Sequence, residues 1–309
     1  MGCHLSSQLH MARCGQDQFA AGLALLTQIV QHRFIVGKRR DIERDPSGDF
    51  TFEMSSALQQ PQGDAEPEDG IAWQLKLPRP RTTKTSDLRV AVMLEDRNFP
   101  VDIEVQDRIQ AVADFFAKNG ARVSDRARPA FDNAAAFRIF GSLLMAGLTR
   151  RRNDEAFWKR LSHLRARFMT VNEGGKTVEK DFTHADWLEL DAARDSLRHA
   201  WRAFFADYDV LLCPAAPTVA VPHDPKHAWH ERKVLVKGRQ TSPADPTFWG
   251  AFTTVAYLPS TVAPAGLAKS GLPVGVQIVG PQYGDLTCIE VARQLERGFY
   301  GFVAPKGWV

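Results

Sequence analysis

Apolar residues at Phe19, Ala20, Leu23, Leu26, Ile29 and Val30 share one face at helical spacing and predict a helix over 16–31. The pattern then changes. Residues 33–70 are polar, carry the turn Asp45-Pro46-Ser47-Gly48 and close on Pro61 to Pro67, which predicts a long irregular stretch. Leu77-Pro78-Arg79-Pro80-Arg81 is extended, because each proline opposes helix at the residue before it. Leu88 to Leu94 reads as a strand, and a helix follows from about Asp102 to Asn119, closed by Gly120. Ala121 to Ser124 is the next strand, so strand, helix and strand suggest a parallel crossover unit. Further helices are predicted over Asp132–Thr149, Glu155–Met169 and Thr183–Asp207. In the last, Thr183 with Asp186 resembles a capping box, and Trp187, Leu190, Ala193, Leu197, Trp201 and Phe204 form the buried stripe. Tyr208 to Pro214 is a buried strand that enters a proline-rich loop running to about Pro246. A helix over Thr247–Thr254 and strands over Pro259–Pro264 and Pro273–Val279 come next. Ala265–Leu272 joins those strands as the turn of a hairpin, and an amphipathic helix over Asp285–Phe299 closes the pattern. No segment repeats another. The predicted class is α/β with a mixed sheet.

Composition narrows the function classes. At 309 residues, 44% hydrophobic and 24% charged, the chain has the make-up of a globular protein. Lys and Arg total 39 against 36 Asp and Glu, a net charge of +3, too small an excess to imply nucleic acid or an anionic membrane. No apolar run reaches the roughly 18 residues of a membrane helix. The four cysteines, Cys3, Cys14, Cys213 and Cys288, have no C-x-x-C spacing, which argues against both a disulfide framework and a zinc module. Without a signal-like apolar stretch in Met1–Arg13, a reducing, cytoplasmic setting is expected. Met1-Gly2-Cys3-His4-Leu5-Ser6 fits the loose myristoylation pattern, but that pattern is short enough to arise by chance.

Three constellations are candidates for chemistry. His223, His227 and His230 with Asp224 have spacing that suggests a metal site on one helical face. Pro225 opposes such a helix, so a solvated loop is expected and no metal is assigned. Lys38-Arg39-Arg40 and Arg150-Arg151-Arg152 are short basic runs separated by long polar segments, and no nucleic-acid site is assigned. The serine pairs Ser6-Ser7 and Ser55-Ser56 have no adjacent glycine to bring backbone amides to a developing oxyanion, and no G-x-S-x-G occurs. Each reads as polar surface.

The C-terminal region carries stronger patterning. Gly271-Leu272-Pro273-Val274-Gly275-Val276-Gln277-Ile278-Val279-Gly280-Pro281, followed by Tyr283-Gly284-Asp285-Leu286-Thr287, resembles the C-terminal signature of the amidase signature family, serine amidohydrolases with a Ser-cisSer-Lys triad. Asp209 to Pro214 with Ala216-Pro217-Thr218, and Tyr257 to Gly266, resemble two further family segments in order. Met11-Ala12-Arg13-Cys14 onward to Leu26 is similar to the family helix that follows the catalytic core. The resemblance covers most of 11–30 and 70–309 and is most specific over 208–300. It implies a partial amidase-signature fold, a mixed β-sheet core flanked by helices with N-terminal core strands missing. The chain divides accordingly into a helix segment at 1–32, an irregular polar stretch at 33–70 and the C-terminal part of the amidase domain at 71–309.

The implied reaction is hydrolysis of a carboxamide to carboxylate and ammonia or amine through an acyl-serine. In the family the lysine and both serines precede the helix that matches Met11. Here the ten residues before Met11 hold no lysine and no Gly/Ser-rich run, and Lys38, Lys76 and Lys84 follow that helix, so order excludes them. No catalytic residue is assigned, no cofactor is implied, and the chain as written is expected to be a truncated, inactive relative or pseudoenzyme. The alternatives are a non-catalytic binding or regulatory protein on a degenerate fold, and one chain of a split amidase that needs a complementary chain or homo-oligomer. By the resemblance, Trp249, Phe252 and Thr253 line the acyl side of a site for a small-molecule amide, with plain core packing as the alternative reading.

Overall fold

The computed structural model describes residues 76–148, 155–173, 176–179, 182–227, 231–242 and 244–304. The predicted helix over 16–31, both serine pairs, both basic runs and His230 lie outside these residues. Strand β1 is Arg89–Val92, helix α1 Ile103–Lys118 and strand β2 Arg122–Ser124. Helices α2, Asn133–Leu148, α3, Glu155–Arg160, and α4, Ser162–Phe168, follow. The hairpin β3, Thr170–Glu173, and β4, Lys176–Glu179, precedes the long helix α5, His184–Asp207. Then come β5, Val210–Pro214, the small hairpin β6, Val234–Val236, and β7, Arg239–Thr241, and helix α6, Phe248–Thr254. The pair β8, Ser260–Leu267, and β9, Pro273–Val279, with helix α7, Asp285–Gly298, completes the order.

The main sheet has five strands in the order β2-β1-β5-β9-β8. β1 pairs in parallel with β2 and with β5, while β9 runs antiparallel to both β5 and β8, so the sheet is mixed as predicted. β1, α1 and β2 form the predicted crossover. Gly120 stands just past α1 with φ +88°, where a residue without Cβ avoids the left-handed penalty. Every residue of β5 is buried, which explains why Val210–Pro214 carries no polar alternation. Asp209 anchors its start. Its fully buried carboxylate accepts from the Arg89 backbone N–H at 2.9 Å and Arg89 Nη2 at 2.8 Å, and pairs with Arg81 at 2.9 Å.

Helices α1 and α7 pack on β8 and β9. Helices α2, α5 and α6 pack on one another, α2 touching both others, around a run of aromatic rings. Trp201 meets Phe204, Phe205 and Phe252, while Phe248 meets Phe137, Trp249 and Phe252. The capping box at α5 forms as the sequence implies, with Asp186 N–H donating to Thr183 Oγ1 at 3.1 Å and Thr183 N–H to Asp186 Oδ2 at 2.9 Å.

Four details differ from the sequence pattern. The helix expected over Glu155–Met169 is broken at Leu161, whose ψ of 13° ends one helix and starts the next. The expected buried stripe of α5 holds only in its second half. Leu197, Trp201 and Phe204 are buried, with Phe205 beside them, whereas Trp187 is 37% exposed and Leu190 and Ala193 are half-buried. A groove of about 300 Å³ between α2, α4 and α5 reaches Leu190, so the aromatic packing does not close there. The loop before Pro246 contains the unpredicted β6–β7 hairpin. Finally, β8 runs on to Leu267 where a turn was expected from Ala265. The register shifts between Pro264 and Gly266, so proline and glycine there mark a bulge that the strand passes through.

Candidate functional site

Ligands of open α/β sheets bind outside the carboxyl ends of parallel strands, where consecutive connections leave to opposite sides. Strand order identifies that point. β1 connects through α1 to β2 on one side and lies against β5 on the other. At this end β1 runs into the loop 93–102, and β5 runs into Ala215–Val221. The loops are tied together, since Met93 N–H donates to Leu212 O at 2.9 Å and Asp102 N–H to Pro217 O at 2.8 Å. Asp96 accepts from Asn133 Nδ2 of α2 at 2.9 Å. Phe99 lies flat on Phe248, the first residue of α6, with ring centroids 3.7 Å apart and planes 4° apart.

Helix α6 therefore backs this end of the sheet, and Gln277 fixes it from the strand side. Gln277 is 5% exposed, and its Nε2 donates to the Trp249 carbonyl at 2.9 Å and reaches Cys213 Sγ at 3.4 Å, linking β9, β5 and α6. It is the single polar side chain of Pro273–Val279, and that interruption of an apolar strand was the available sequence signal. Phe99, Asp96 and Asn133 carried no comparable signal, because only the fold brings them together.

The sequence-predicted residues Trp249, Phe252 and Thr253 sit together on α6. They are 0%, 0% and 1% exposed. Both rings join the aromatic run, and Thr253 Oγ1 donates to Gly250 O at 3.1 Å. Trp249 Nε1 is buried without a hydrogen-bond acceptor among the described residues. Of the histidine cluster, His227 Nδ1 pairs with Asp224 Oδ2 at 2.7 Å, and this bond holds the Asp224 carboxyl below its ordinary pKa. Among the described residues no three His, Cys, Asp or Glu side chains are grouped to hold a metal.

Nucleophile chemistry needs a hydroxyl or thiol beside a base. Among the described residues Ser86 Oγ donates to Asp87, Ser142 Oγ to the Phe168 carbonyl and Ser196 Oγ to the Ala192 carbonyl, and Ser242 Oγ accepts from Ala244 N–H. None of these serines bonds a lysine or histidine. Burial pushes the Cys213 thiol up to about 12 and raises Cys288 as well, so both stay protonated. No helix among these residues is long and apolar enough to cross a membrane.

The family model described as Amidase matches residues 54–289. Among curated proteins, the chain is 25% identical over 283 residues to the glutamyl-tRNA(Gln) amidotransferase of Synechococcus sp. (strain CC9311), in the larger part of one of its polypeptides, covering 82% of this chain and 55% of that protein. It is 32% identical over 124 residues to fatty-acid amide hydrolase 2 of Homo sapiens, covering 40% of this chain and 21% of that one. Among solved structures, a bacterial aryl acylamidase of the amidase signature enzymes superposes with a TM-score of 0.55 at 18% identity, covering 76% of this chain and 49% of that one. The corresponding glutamyl-tRNA(Gln) amidotransferase polypeptide of Thermotoga maritima superposes with a TM-score of 0.52 at 16% identity, covering 75% and 48%. The chain thus spans about half the length of these relatives or less, and its fold is the corresponding part of theirs.

Proposed function

Because the chain belongs to the amidase family, whose model matches residues 54–289, we propose that residues 1–309 form the substrate-wall part of an amide-hydrolase domain and do not hydrolyse amides by themselves. The observation that carries this reading is the serine arrangement. Acyl transfer requires a hydroxyl activated by a neighbouring base and amides aimed at the oxyanion, and the described serines bond carbonyls, a carboxylate and a backbone amide instead. The wall is α6, held by Phe99 in front and Gln277 behind, with Trp249, Phe252 and Thr253 contributing its acyl-side surface to a small apolar amide. Trp249 Nε1 is the wall's unspent hydrogen-bond donor. The test is ammonia release from aliphatic and aryl amides by purified 1–309, together with labelling by a fluorophosphonate probe. Neither turnover above buffer nor stoichiometric labelling is expected, and either one refutes the reading.

A second reading, that the chain works beside a complementary chain or a second copy, is favoured by β8. This edge strand is eight residues long, holds no charged residue, and exposes Val262 at 56% and Leu267 at 50%. Such an edge is a template for pairing, and a lysine on it is a natural block. Sedimentation of 1–309 should show concentration-dependent association that Val262→Lys abolishes without changing the circular dichroism. A monomer at all concentrations removes self-pairing.

A further inference from the structure

The β6–β7 hairpin is held to the rest of the protein from its tip. Among its strand and turn residues, 234–241, only Val236 is buried, and Leu235 is 57% exposed. Val236 pairs with Arg239, which leaves Lys237-Gly238 as a two-residue turn with φ of 50° and 71°. Both values are positive, as a type I′ turn requires to match the twist of its strands. Glycine suits the second position. Lysine does not suit the first, where a Cβ in the left-handed region is strained and Asn, Asp or Gly normally stand.

The strained lysine makes two contacts. Its backbone N–H donates to Asp102 Oδ1, and its Nζ pairs with Glu95 Oε2. Both acceptors lie on the connection from β1 to α1 at the carboxyl end of the sheet. Glu95 is also bonded by Gln106 Nε2 at 3.3 Å, and Asp102 N–H reaches Pro217 O of the loop after β5 at 2.8 Å. The tip thus clasps the loops that leave both parallel strands.

We propose that the β6–β7 hairpin is a strap that closes over the carboxyl end of β1 and β5, with Lys237 as its latch on Glu95 and Asp102. The role of the strap rests on the reading of that end as the substrate site. A segment with one buried side chain opens locally at far lower free energy than the sheet beneath it. Its ion pair is partly exposed, with side chains 33% and 48% accessible, so it holds the strap weakly enough for release. A cover over a small-molecule site needs this balance, closed at rest and free to open.

The test is hydrogen exchange read by mass spectrometry on the full chain. Lys237→Asn removes the ammonium and keeps a residue tolerant of positive φ, and Glu95→Gln removes the charge of the partner. Peptides covering 234–241 should exchange about two- to fivefold faster in either variant, and the double variant no faster than the single ones. Roughly 1 M salt should speed the wild-type hairpin and leave the variants unchanged. Peptides from β5 and β9 should not move. Unchanged hairpin exchange in both variants overturns the latch, and so does acceleration of the whole fold together. Adding phenylacetamide separates the two readings. Slower hairpin exchange supports the strap over an occupied site, whereas no slowing with the variant effects intact retains the latch and overturns the substrate assignment of that end.

Discussion

The contact between Phe99 and Phe248 decides whether the loop after β1 and helix α6 act as one body. Phe99 is 5% exposed and Phe248 is fully buried, and Phe137 meets both edge-on at 5.2 and 5.9 Å. Replacing either ring by alanine would cost about 3–5 kcal/mol, a large share of the roughly 5–15 kcal/mol that holds a typical domain. Leucine is the better probe, because it keeps much of the volume and should cost about 1 kcal/mol at each site. The informative quantity is the coupling in the cycle Phe99→Leu, Phe248→Leu and the double variant. Aromatic pairs contribute about 0.5–1.5 kcal/mol beyond burial. The rings here are 3.7 Å apart and 4° from parallel, close to the face-to-face arrangement that ring quadrupoles disfavour, so the coupling should fall near the low end, about 0.5–1 kcal/mol. Urea unfolding followed by the fluorescence of buried Trp201 and Trp249 measures it, with the denaturant slope as a check on the unfolded state. Additivity within about 0.3 kcal/mol would mean that the rings do not share a contact, and the wall would lose its front support.

Three further outcomes follow from the packing and the buried ionisable groups. Gly141→Ala places a Cβ 2.2 Å from the Phe168 ring, so overpacking of about 1–3 kcal/mol should exceed the helix-propensity gain of about 1 kcal/mol, and a higher urea midpoint would contradict this contact. Burial raises the Asp285 carboxyl above its ordinary pKa, which means the folded state holds that proton more tightly than the unfolded chain. Its stabilisation is complete below the unfolded value of about 3.9 and is lost as pH rises through the folded value, so the Tm advantage of Asp285→Asn over wild type should grow with rising pH in that window, and a flat difference excludes it. In a Cys3→Ser/Cys14→Ser background, Cys213 and Cys288 should resist a thiol reagent at pH 8 until denaturant is added, since a pKa near 12 for Cys213 leaves on the order of one thiolate in 10⁴. Native-state labelling at the rate of a free cysteine would show an open thiol.

Residues whose role is periodic were legible in the sequence. The apolar run of β5, the crossover from β1 to β2, the Thr183–Asp186 box and the glycine after α1 each depend on neighbours a few positions away. What escaped depends on neighbours far along the chain. Arg167 pairs with Asp245 at 2.7 Å, and Phe99 stacks on Phe248, across separations at which no spacing rule operates. The β6–β7 hairpin escaped for a different reason. Its strands are three residues each, too short for alternation to register, and its turn has lysine where the usual hairpin signal has asparagine or aspartate. The stripe of α5 shows the converse error. Helical spacing from Trp187 to Phe204 identifies a face, but burial of that face ends where the aromatic neighbours Phe131, Phe205 and Phe252 end, around Trp201.

Gln277 joins the scaffold to the candidate site. A glutamine inside an apolar strand is costly unless its amide is bonded, and the bonds it makes are to a helix carbonyl and a thiol sulfur, two acceptors supplied by α6 and β5. An apolar replacement of the same shape would fill the space and leave the sheet intact, yet it would remove the one hydrogen bond that sets the height of α6 above β5 and β9. The polar residue is therefore better explained by the placement of α6 than by the stability of the sheet. That placement is what a substrate wall requires, whether the reacting hydroxyl stands in this chain or in another.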